Sequence, residues 1–193
     1  MKVTLVNYGI GNLLSVQRAL EHVGATVTVT DNPSDIEQAE RLVVPGVGAF
    51  SKCMEAIDSR KLKDALITFA QSQKPYLGIC VGMQMLMDKS FEFGEHAGLG
   101  IIAGDVKKID VEGERVPFIG WKNITLNGKE GSYYFVHSYQ AFPKHTENLL
   151  ASYKLGNSEV TAAIQKDNVL GVQFHPEKSA ENGLDLIRHF LKL

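Results

Sequence analysis

Short apolar runs alternate with segments of helical periodicity in the first hundred residues. Leu13, Val16, Leu20 and Val23 recur at helical spacing, and Gly24 closes that segment. The predicted strands are KVTLVNYG (2–9), TVTVT (26–30), RLVVPG (41–46) and PYLGI (75–79), and the predicted helices are 11–24, 51–73 and GMQMLMD (82–88). Alternation of this kind is typical of an open parallel sheet with helices on both faces.

The pattern changes near residue 100 to short β-branched and aromatic runs that are separated by turn residues. The predicted strands here are 104–112, 123–128, 132–142, 149–155, 160–167 and 169–174, and the amphipathic stretch 181–193 predicts a last helix. The predicted fold class is therefore α/β. It has an open, mixed but mostly parallel sheet flanked by helices, with a β-rich C-terminal half.

Composition and charge argue against nucleic-acid-binding, membrane and secreted proteins. The 193 residues predict one domain over 1–193, and 20 basic residues against 22 acidic ones give a net charge of −2. The sequence has no prominent cluster of lysine and arginine, so nothing in it suggests a surface that binds nucleic acid or a membrane. Two cysteines without a CxxC pair favour a reduced intracellular protein. The first apolar run is too short for a signal peptide, and no run approaches the ~20 residues of a membrane span, so we expect a cytoplasmic protein.

Cys80 stands in the sequence GICVG, where glycines lie two residues before it and two after it. The same spacing around serine marks the strand-to-helix elbow of α/β-hydrolases. Such a turn would expose the sulfur at the carboxyl end of the sheet, next to a helix N-terminus that favours a thiolate. The N–H of Val81 would then point to where an oxyanion forms. The alternative is a small buried hydrophobic residue, which is our interpretation of Cys53 inside a helix.

A nucleophilic cysteine needs a base, and the base needs an orienting group. His175 and Glu177 are two residues apart in GVQFHPEKS, so in extended backbone they would face the same side. Pro176 should end the strand and leave the pair in a loop. A surface His-Pro turn with a solvated glutamate is the alternative. The H-x-E spacing also occurs in zinc deaminases, but the P-C-x-x-C that they need is missing, so we expect no metal and no cofactor.

Three segments in this order, PGVG (45–48), GICVGMQ (78–84) and HPE (175–177), resemble the class I (triad) glutamine amidotransferases. NYGIGNL, YYFVHSY and HPEKS narrow the resemblance to the glutaminase subunits of imidazole glycerol phosphate synthases, and it runs the whole length of the chain. The resemblance implies the flavodoxin-like fold of this family. Phe118 and Lys122 depart from the histidine and asparagine that are common in the family, which puts part of the partner contact in doubt.

The resemblance also implies roles for individual residues. Cys80 matches the nucleophile, His175 the base and Glu177 the orienting acid. An N–H from Val47 or Gly48 joins that of Val81 in the oxyanion hole. The matches to substrate-binding positions are Gly46, Gln84, Glu92, His137, Ser138 and Tyr139. The matches to partner-contact positions are Asn12, Trp121, Tyr134 and Lys178.

The implied reaction is hydrolysis of glutamine to glutamate and ammonia through a cysteine thioester. A single domain leaves no room for a site that consumes ammonia, so we expect that site on another chain. The resemblance names this partner as a (β/α)8-barrel cyclase subunit in a heterodimer. There ammonia would yield imidazole glycerol phosphate and an aminoimidazole carboxamide ribotide in histidine biosynthesis. PGVG (45–48) matches the oxyanion strand of the family. Glycines on both sides of Val47 further predict that this oxyanion strand becomes active only when the partner binds.

Four other readings stay open at this point. The chain resembles other glutaminase subunits, such as that of pyridoxal phosphate synthase, although NYGIGNL and YYFVHSY argue against them. A hydrolase of glutamyl conjugates would act without a partner. A dinucleotide-binding protein would use GIGNLL with Asp31, but Leu14 stands where the third glycine belongs. A catalytically dead interaction module would leave the intact triad unexplained.

Overall fold

The computed structural model describes residues 1–193. The strands are β1 (Lys2–Val6), β2 (Thr26–Thr30), β3 (Leu42–Gly46), β4 (Tyr76–Cys80), β5 (Lys89–Ser90), β6 (His96–Ala97), β7 (Gly104–Lys108), β8 (Phe118–Leu126), β9 (Lys129–His137), β10 (Tyr139–Pro143), β11 (Leu149–Leu155), β12 (Ser158–Lys166) and β13 (Val169–Val172). The α-helices are α1 (Leu13–His22), α2 (Pro33–Gln38), α3 (Phe50–Ser59), α4 (Lys63–Gln71), α5 (Val81–Gln84) and α6 (Ala180–Lys192). Two short 3₁₀ turns span Thr146–Asn148 and Pro176–Lys178.

A seven-stranded sheet in the order β11-β12-β13-β4-β3-β1-β2 forms the centre of the molecule. The five strands from β13 to β2 are parallel to their neighbours, whereas β12 and β11 add an antiparallel edge. Every residue of β3, β4 and β13 is buried, as expected for strands that are covered on both faces. The mixed, mostly parallel sheet predicted from the sequence is confirmed.

The carboxyl ends of three neighbouring strands carry the predicted chemistry. Cys80 ends β4, and Gly46, its register partner, ends β3 beside it. His175 comes three residues after β13, on the other side of β4. Parallel strands place their carboxyl ends at one edge of the sheet, so segments far apart in sequence meet there.

One predicted helix is divided in the structure, and one observed helix was not predicted. The stretch 51–73 is two helices, because Lys61 adopts φ 58° and the Leu62 N–H closes the turn on the Ile57 carbonyl. Helix α2, which the sequence analysis missed, begins at Pro33 behind Asn32, whose side chain accepts the Ser34 N–H.

The helix predicted over 82–88 is only the single turn of α5. The carbonyls of Met85, Leu86 and Met87, which a longer helix would use internally, accept N–H groups from residues 99–102 instead. Tertiary hydrogen bonding thus ends the helix where the local sequence would continue it.

The β-rich half adds two smaller sheets, β10-β7-β5-β6 and the hairpin β8-β9. The single strand predicted over 132–142 is two strands that separate at Ser138, because β9 pairs with β8 and β10 pairs with β7. None of the helices is both long and apolar enough to cross a membrane.

Candidate active site

Cys80 lies at a strained elbow between β4 and α5. Its backbone has φ 56° and ψ −114°, a combination that glycine favours at the first central position of a type II′ turn. A non-glycine residue in such a conformation costs about 1–3 kcal/mol and is found mainly at functional sites. The side chain is 5% exposed. The strand-to-helix turn predicted at Cys80 is present in the structure.

The glycines around Cys80 allow backbone to pack against backbone. A Cβ on Gly82 would lie 2.0 Å from the Val44 carbonyl oxygen, and one on Gly78 would lie 2.7 Å from the Gly82 oxygen. A Cβ on Gly46 would meet the Gly82 nitrogen at 2.7 Å. These approaches place the end of β3 directly beside the turn that carries the sulfur.

His175 and Glu177 form the predicted pair. His175 Nδ1 lies 2.8 Å from Glu177 Oε1, and both side chains are buried. The backbone N–H of His175 donates to the Tyr134 carbonyl, and its carbonyl accepts the Ser179 hydroxyl. These bonds hold the His175 backbone against β9, and the bond to Glu177 orients the imidazole. The strand does end before Pro176 as predicted, but its last residue is Val172, four residues before the proline.

The charges around His175 favour its imidazolium form. Burial alone would lower the pKa of this ring, but its interactions with the Cys80 and Glu177 side chains raise the pKa to about 10. No other protein group donates to Glu177, whose Oε2 is buried without a partner. The imidazolium is thus the group that balances this carboxylate, and it has a proton available at neutral pH.

A cavity of about 180 Å³ opens beside the sulfur. Its lining contains Cys80, two of the predicted oxyanion-hole residues (Gly48 and Val81) and most of the predicted substrate-binding residues. The full lining is Gly48, Cys80, Val81, Gln84, Glu92, Pro117, Val136, His137, Ser138 and Tyr139. Gly46, Val47, His175 and Glu177 do not line it. A larger depression of about 660 Å³ around His145 and Asp167 lies near the amino ends of the central strands and contains none of these residues.

Three of the cavity side chains are already engaged by the protein. Gln84 Nε2 donates to the Tyr139 carbonyl at 3.1 Å. Glu92 Oε2 accepts the Phe50 N–H at 2.6 Å, which leaves Oε1 for a ligand. His137 lies between the Tyr139 carbonyl and the Tyr153 hydroxyl, at 2.8 Å from each. Burial lowers the pKa of His137 to about 4, so this ring is neutral where the enzyme would work.

Buried side chains hold the oxyanion strand at two carbonyls. The Tyr8 hydroxyl donates to the Pro45 oxygen at 2.6 Å, and the Cys53 thiol donates to the Val47 oxygen at 3.5 Å. Burial raises the pKa of both donors, which keeps them protonated. Because a trans peptide holds its C=O and N–H on opposite sides, the Gly48 N–H points away from Cys53. Gly48 has φ 83° and open space where a Cβ would be.

Sequence reasoning missed Tyr8, Tyr153 and Gln173. Gln173 Nε2 lies 3.7 Å from Cys80 Sγ, and its Oε1 accepts from Gln84 at 3.0 Å. A signal for Gln173 was available, because it precedes His175 by two residues and so faces the same side of an extended chain. Nothing local indicates Tyr8 or Tyr153, whose partners are far away in sequence.

The predicted partner residues gather on one surface. Trp121 and Tyr134 are cross-strand neighbours in β8-β9 with ring centroids 5.8 Å apart, and Lys178 Nζ lies 5.9 Å from the Tyr134 ring. Ile119 and Trp121 are 60% and 49% exposed. Asn12, which is also exposed, precedes α1, and α1 packs against the turn that contains Lys178.

The two departures from the family pattern pack within this chain. Phe118 contacts the Tyr153 ring at a centroid distance of 5.6 Å. Lys122 Nζ lies 5.2 Å from the Phe118 ring centroid and donates to the Lys154 carbonyl. Both side chains are therefore engaged away from the exposed Trp121.

Comparison with known proteins agrees with this geometry. The family model for class-I glutamine amidotransferases matches residues 4–193. Imidazole glycerol phosphate synthase subunit HisH of Wolinella succinogenes is 45% identical, and HisH 1 of Legionella pneumophila (strain Lens) is 42% identical, each over 99% of both chains. The chloroplastic imidazole glycerol phosphate synthase hisHF of Arabidopsis thaliana is 41% identical over 98% of this chain and 34% of its own length.

Solved structures show the same fold. A crystal structure of a glutamine amidotransferase superposes with a TM-score of 0.79 at 20% identity, over 98% of this chain and 97% of the other. The structure of PurLQS from Thermotoga maritima superposes with a TM-score of 0.74 at 18% identity, over 100% of this chain and 99% of the other. The chain belongs to the class-I glutamine amidotransferase family and, within it, to the HisH subunits of imidazole glycerol phosphate synthase.

Proposed function

We propose that residues 1–193 act as one glutaminase domain that hydrolyses glutamine to glutamate and ammonia. The observation that carries this proposal is the meeting of three segments at one edge of the sheet. Cys80 is held in a strained elbow, His175 of the His175–Glu177 pair interacts with the Cys80 side chain, and Gly48 lines the same cavity as Cys80.

In the first half-reaction the Cys80 thiolate attacks the carboxamide carbon of glutamine and forms a C–S bond. The N–H groups of Val81 and Gly48 receive the oxyanion, an effect worth about 3–4 kcal/mol per donor in comparable sites. His175 transfers its proton to the departing nitrogen, the C–N bond breaks and ammonia leaves. In the second half-reaction His175 takes a proton from water, which attacks the thioester and releases glutamate.

The far end of the cavity suits the α-amino acid group of the substrate. The free Oε1 of Glu92 is placed to accept from an ammonium group. Backbone groups of Ser138 and Tyr139 line the same region and can bind polar atoms. Gln84 has both N–H bonds committed to protein acceptors, so only its Oε1 remains for the ligand.

The partner is a cyclase subunit that takes up the ammonia and forms imidazole glycerol phosphate. The names of the relatives support this, since they describe a subunit of a synthase. In the plant relative this chain corresponds to only 34% of a longer protein named hisHF. The surface of Trp121, Tyr134 and Lys178 is the proposed contact in a cytoplasmic heterodimer. Phe118 and Lys122 lie against the Tyr153 ring within this chain, so they are not included in the proposed contact.

The test is glutamate release from glutamine by the purified chain and by Cys80→Ser, each with a cyclase subunit and its ribonucleotide ligand. We expect turnover only with Cys80, and unchanged partner binding by Cys80→Ser because the sulfur is buried away from the exposed contact surface. Equal turnover by the two proteins would refute the role of Cys80. Binding of the wild type without any turnover would support a dead module instead.

A further inference from the structure

We propose that Gln173 is a further catalytic residue, whose side-chain amide donates a hydrogen bond to the Cys80 sulfur and stabilises it as a thiolate. This inference rests on the proposed function in one respect only, which is that Cys80 is the nucleophile. A hydrogen-bond chain that begins at the Tyr139 backbone carbonyl fixes the direction of the donation.

Strand register places Gln173 next to the sulfur. Val172 is the last residue of β13 and pairs with Ile79, so Gln173 comes level with Cys80. The Gln173 N–H donates to the Ala162 carbonyl at 2.8 Å, which fixes its backbone. Its side chain is completely buried, and Nε2 is 3.7 Å from Cys80 Sγ.

The orientation of both amides follows from an acceptor that cannot be reversed. The Tyr139 carbonyl can only accept, so the Gln84 atom 3.1 Å from it is the amino nitrogen. The second N–H of that nitrogen meets Gln173 at 3.0 Å, where it needs an oxygen. The remaining end of Gln173 is then its NH₂ group, and this group faces the sulfur. Reversing Gln84 would place an oxygen against the carbonyl, and reversing Gln173 alone would place two NH₂ groups together.

His137 supports the same carbonyl from the other side. Its Nδ1 lies 2.8 Å from the Tyr139 oxygen and must carry a proton to bond there. In the neutral ring Nε2 is then the acceptor for the Tyr153 hydroxyl. The Tyr139 carbonyl therefore has two donors, one for each lone pair. Reversing either glutamine amide in this series of hydrogen bonds would lose at least one of the bonds.

An amide donor has a property that the imidazolium lacks, because it does not titrate. When His175 has given its proton to ammonia, Gln173 still donates to the sulfur. As water attacks the thioester carbon and the C–S bond breaks, the electron pair returns to sulfur, where the Gln173 N–H stabilises it. The residue is thus expected to assist both half-reactions.

The experiment measures alkylation of Cys80 by iodoacetamide as a function of pH, in the full chain, with mass spectrometry to separate Cys80 from Cys53. Gln173→Met is compared with wild type and with a matched control, Gln140→Met. Gln140 is also buried, and its Oε1 accepts the Thr161 N–H at 2.9 Å. Cys53 is fully buried and should stay unmodified in every folded variant.

We expect the pH of half-maximal Cys80 alkylation to rise by about one unit in Gln173→Met, equivalent to tenfold less thiolate. In Gln140→Met it should not move. Gln173→Glu keeps the shape of the side chain and the acceptor for Gln84 but puts a carboxylate beside the sulfur. The pH of half-maximal alkylation should therefore rise by at least as much in this variant. It replaces Gln173→Met in the test if the methionine variant does not fold. A Gln173→Met profile that superimposes on wild type, or an equal shift in Gln140→Met, would overturn the proposal. The readout needs no glutamine, so loss of the proposed function in the turnover assay would leave this result standing.

Discussion

The strain at Cys80 predicts that glycine is more stable than alanine at this position, the reverse of the usual order. The backbone angles of φ 56° and ψ −114° cost about 1–3 kcal/mol for any residue with a Cβ. Glycine avoids this cost but has a more flexible unfolded chain, which costs about 0.5–1 kcal/mol. The balance makes Cys80→Gly more stable than Cys80→Ala by about 1 kcal/mol.

The second cysteine supplies a matched control. Cys53 is buried, as Cys80 is, but lies inside α3, where glycine should be about 1 kcal/mol less stable than alanine. Comparing alanine with glycine at each site removes the thiol from both measurements, so the comparison isolates the backbone. The change from alanine to glycine is thus expected to stabilise the protein at position 80 and to destabilise it at position 53. The two effects should differ by about 2 kcal/mol.

The assay is urea unfolding of the four variants, followed by circular dichroism, with stability taken from midpoints and slopes. A stability order of alanine above glycine at both positions would refute the reasoning. Cys80 would then not be held in a conformation that opposes a side chain, and the elbow would not store strain.

Three further predictions concern the frame of the site. Gly82→Ala forces a Cβ to within 2.0 Å of the Val44 oxygen, so we expect a loss of about 3 kcal/mol in urea unfolding and no glutamine turnover. Tyr8→Phe leaves the buried Pro45 carbonyl without its donor, which should cost about 2 kcal/mol in the same assay and slow turnover. Because the pKa of His137 is about 4 in the folded protein, the unfolded chain binds a proton at a higher pH than the folded protein does. The free energy of unfolding should therefore fall by about 3 kcal/mol as the pH is lowered from 6.5 to 4, and His137→Asn should remove this part of the pH dependence.

Each of these predictions has an outcome that contradicts it. Unlike Gly82, Gly128 has a positive φ and open space around it, so Gly128→Ala measures backbone strain without a clash. Equal losses for Gly128→Ala and Gly82→Ala would remove the packing argument. A Tyr8→Phe variant as stable as wild type would show that the carbonyl does not need its donor. An acid loss of stability that persists unchanged in His137→Asn would contradict the third prediction. His175 cannot produce such a loss, because its raised pKa gives stability that is present below pH 6.5 and lost as the pH rises through 10.

The elements that carry the chemistry could be predicted because their signals are local. Glycines around Cys80 indicate a backbone that approaches another backbone, and the structure shows that approach at Gly82. A proline after His175 indicates the end of a strand. Helix α2 had a local signal too, since Asn32 and Pro33 form an N-cap followed by proline at the first helical position.

The remaining features depend on contacts between distant segments. The end of α5 depends on carbonyls that bind residues 99–102, and no pattern in 82–88 reports this. The break after α3 uses a lysine with positive φ, where glycine would have been recognisable. Tyr8 acts on Pro45, and Gln173 acts on Cys80, across strand neighbours that only the folded sheet brings together.

The most direct test of the account is the covalent intermediate. The chain, with a cyclase subunit and its ribonucleotide ligand, is incubated with isotopically labelled glutamine and quenched in acid, and the peptide that contains Cys80 is analysed by mass spectrometry. The account predicts a glutamyl thioester on Cys80 and none on Cys53 in the wild type, and no thioester on Cys53 in Cys80→Ser. Turnover of glutamine without any adduct on Cys80, or an adduct on Cys53 instead, would contradict it.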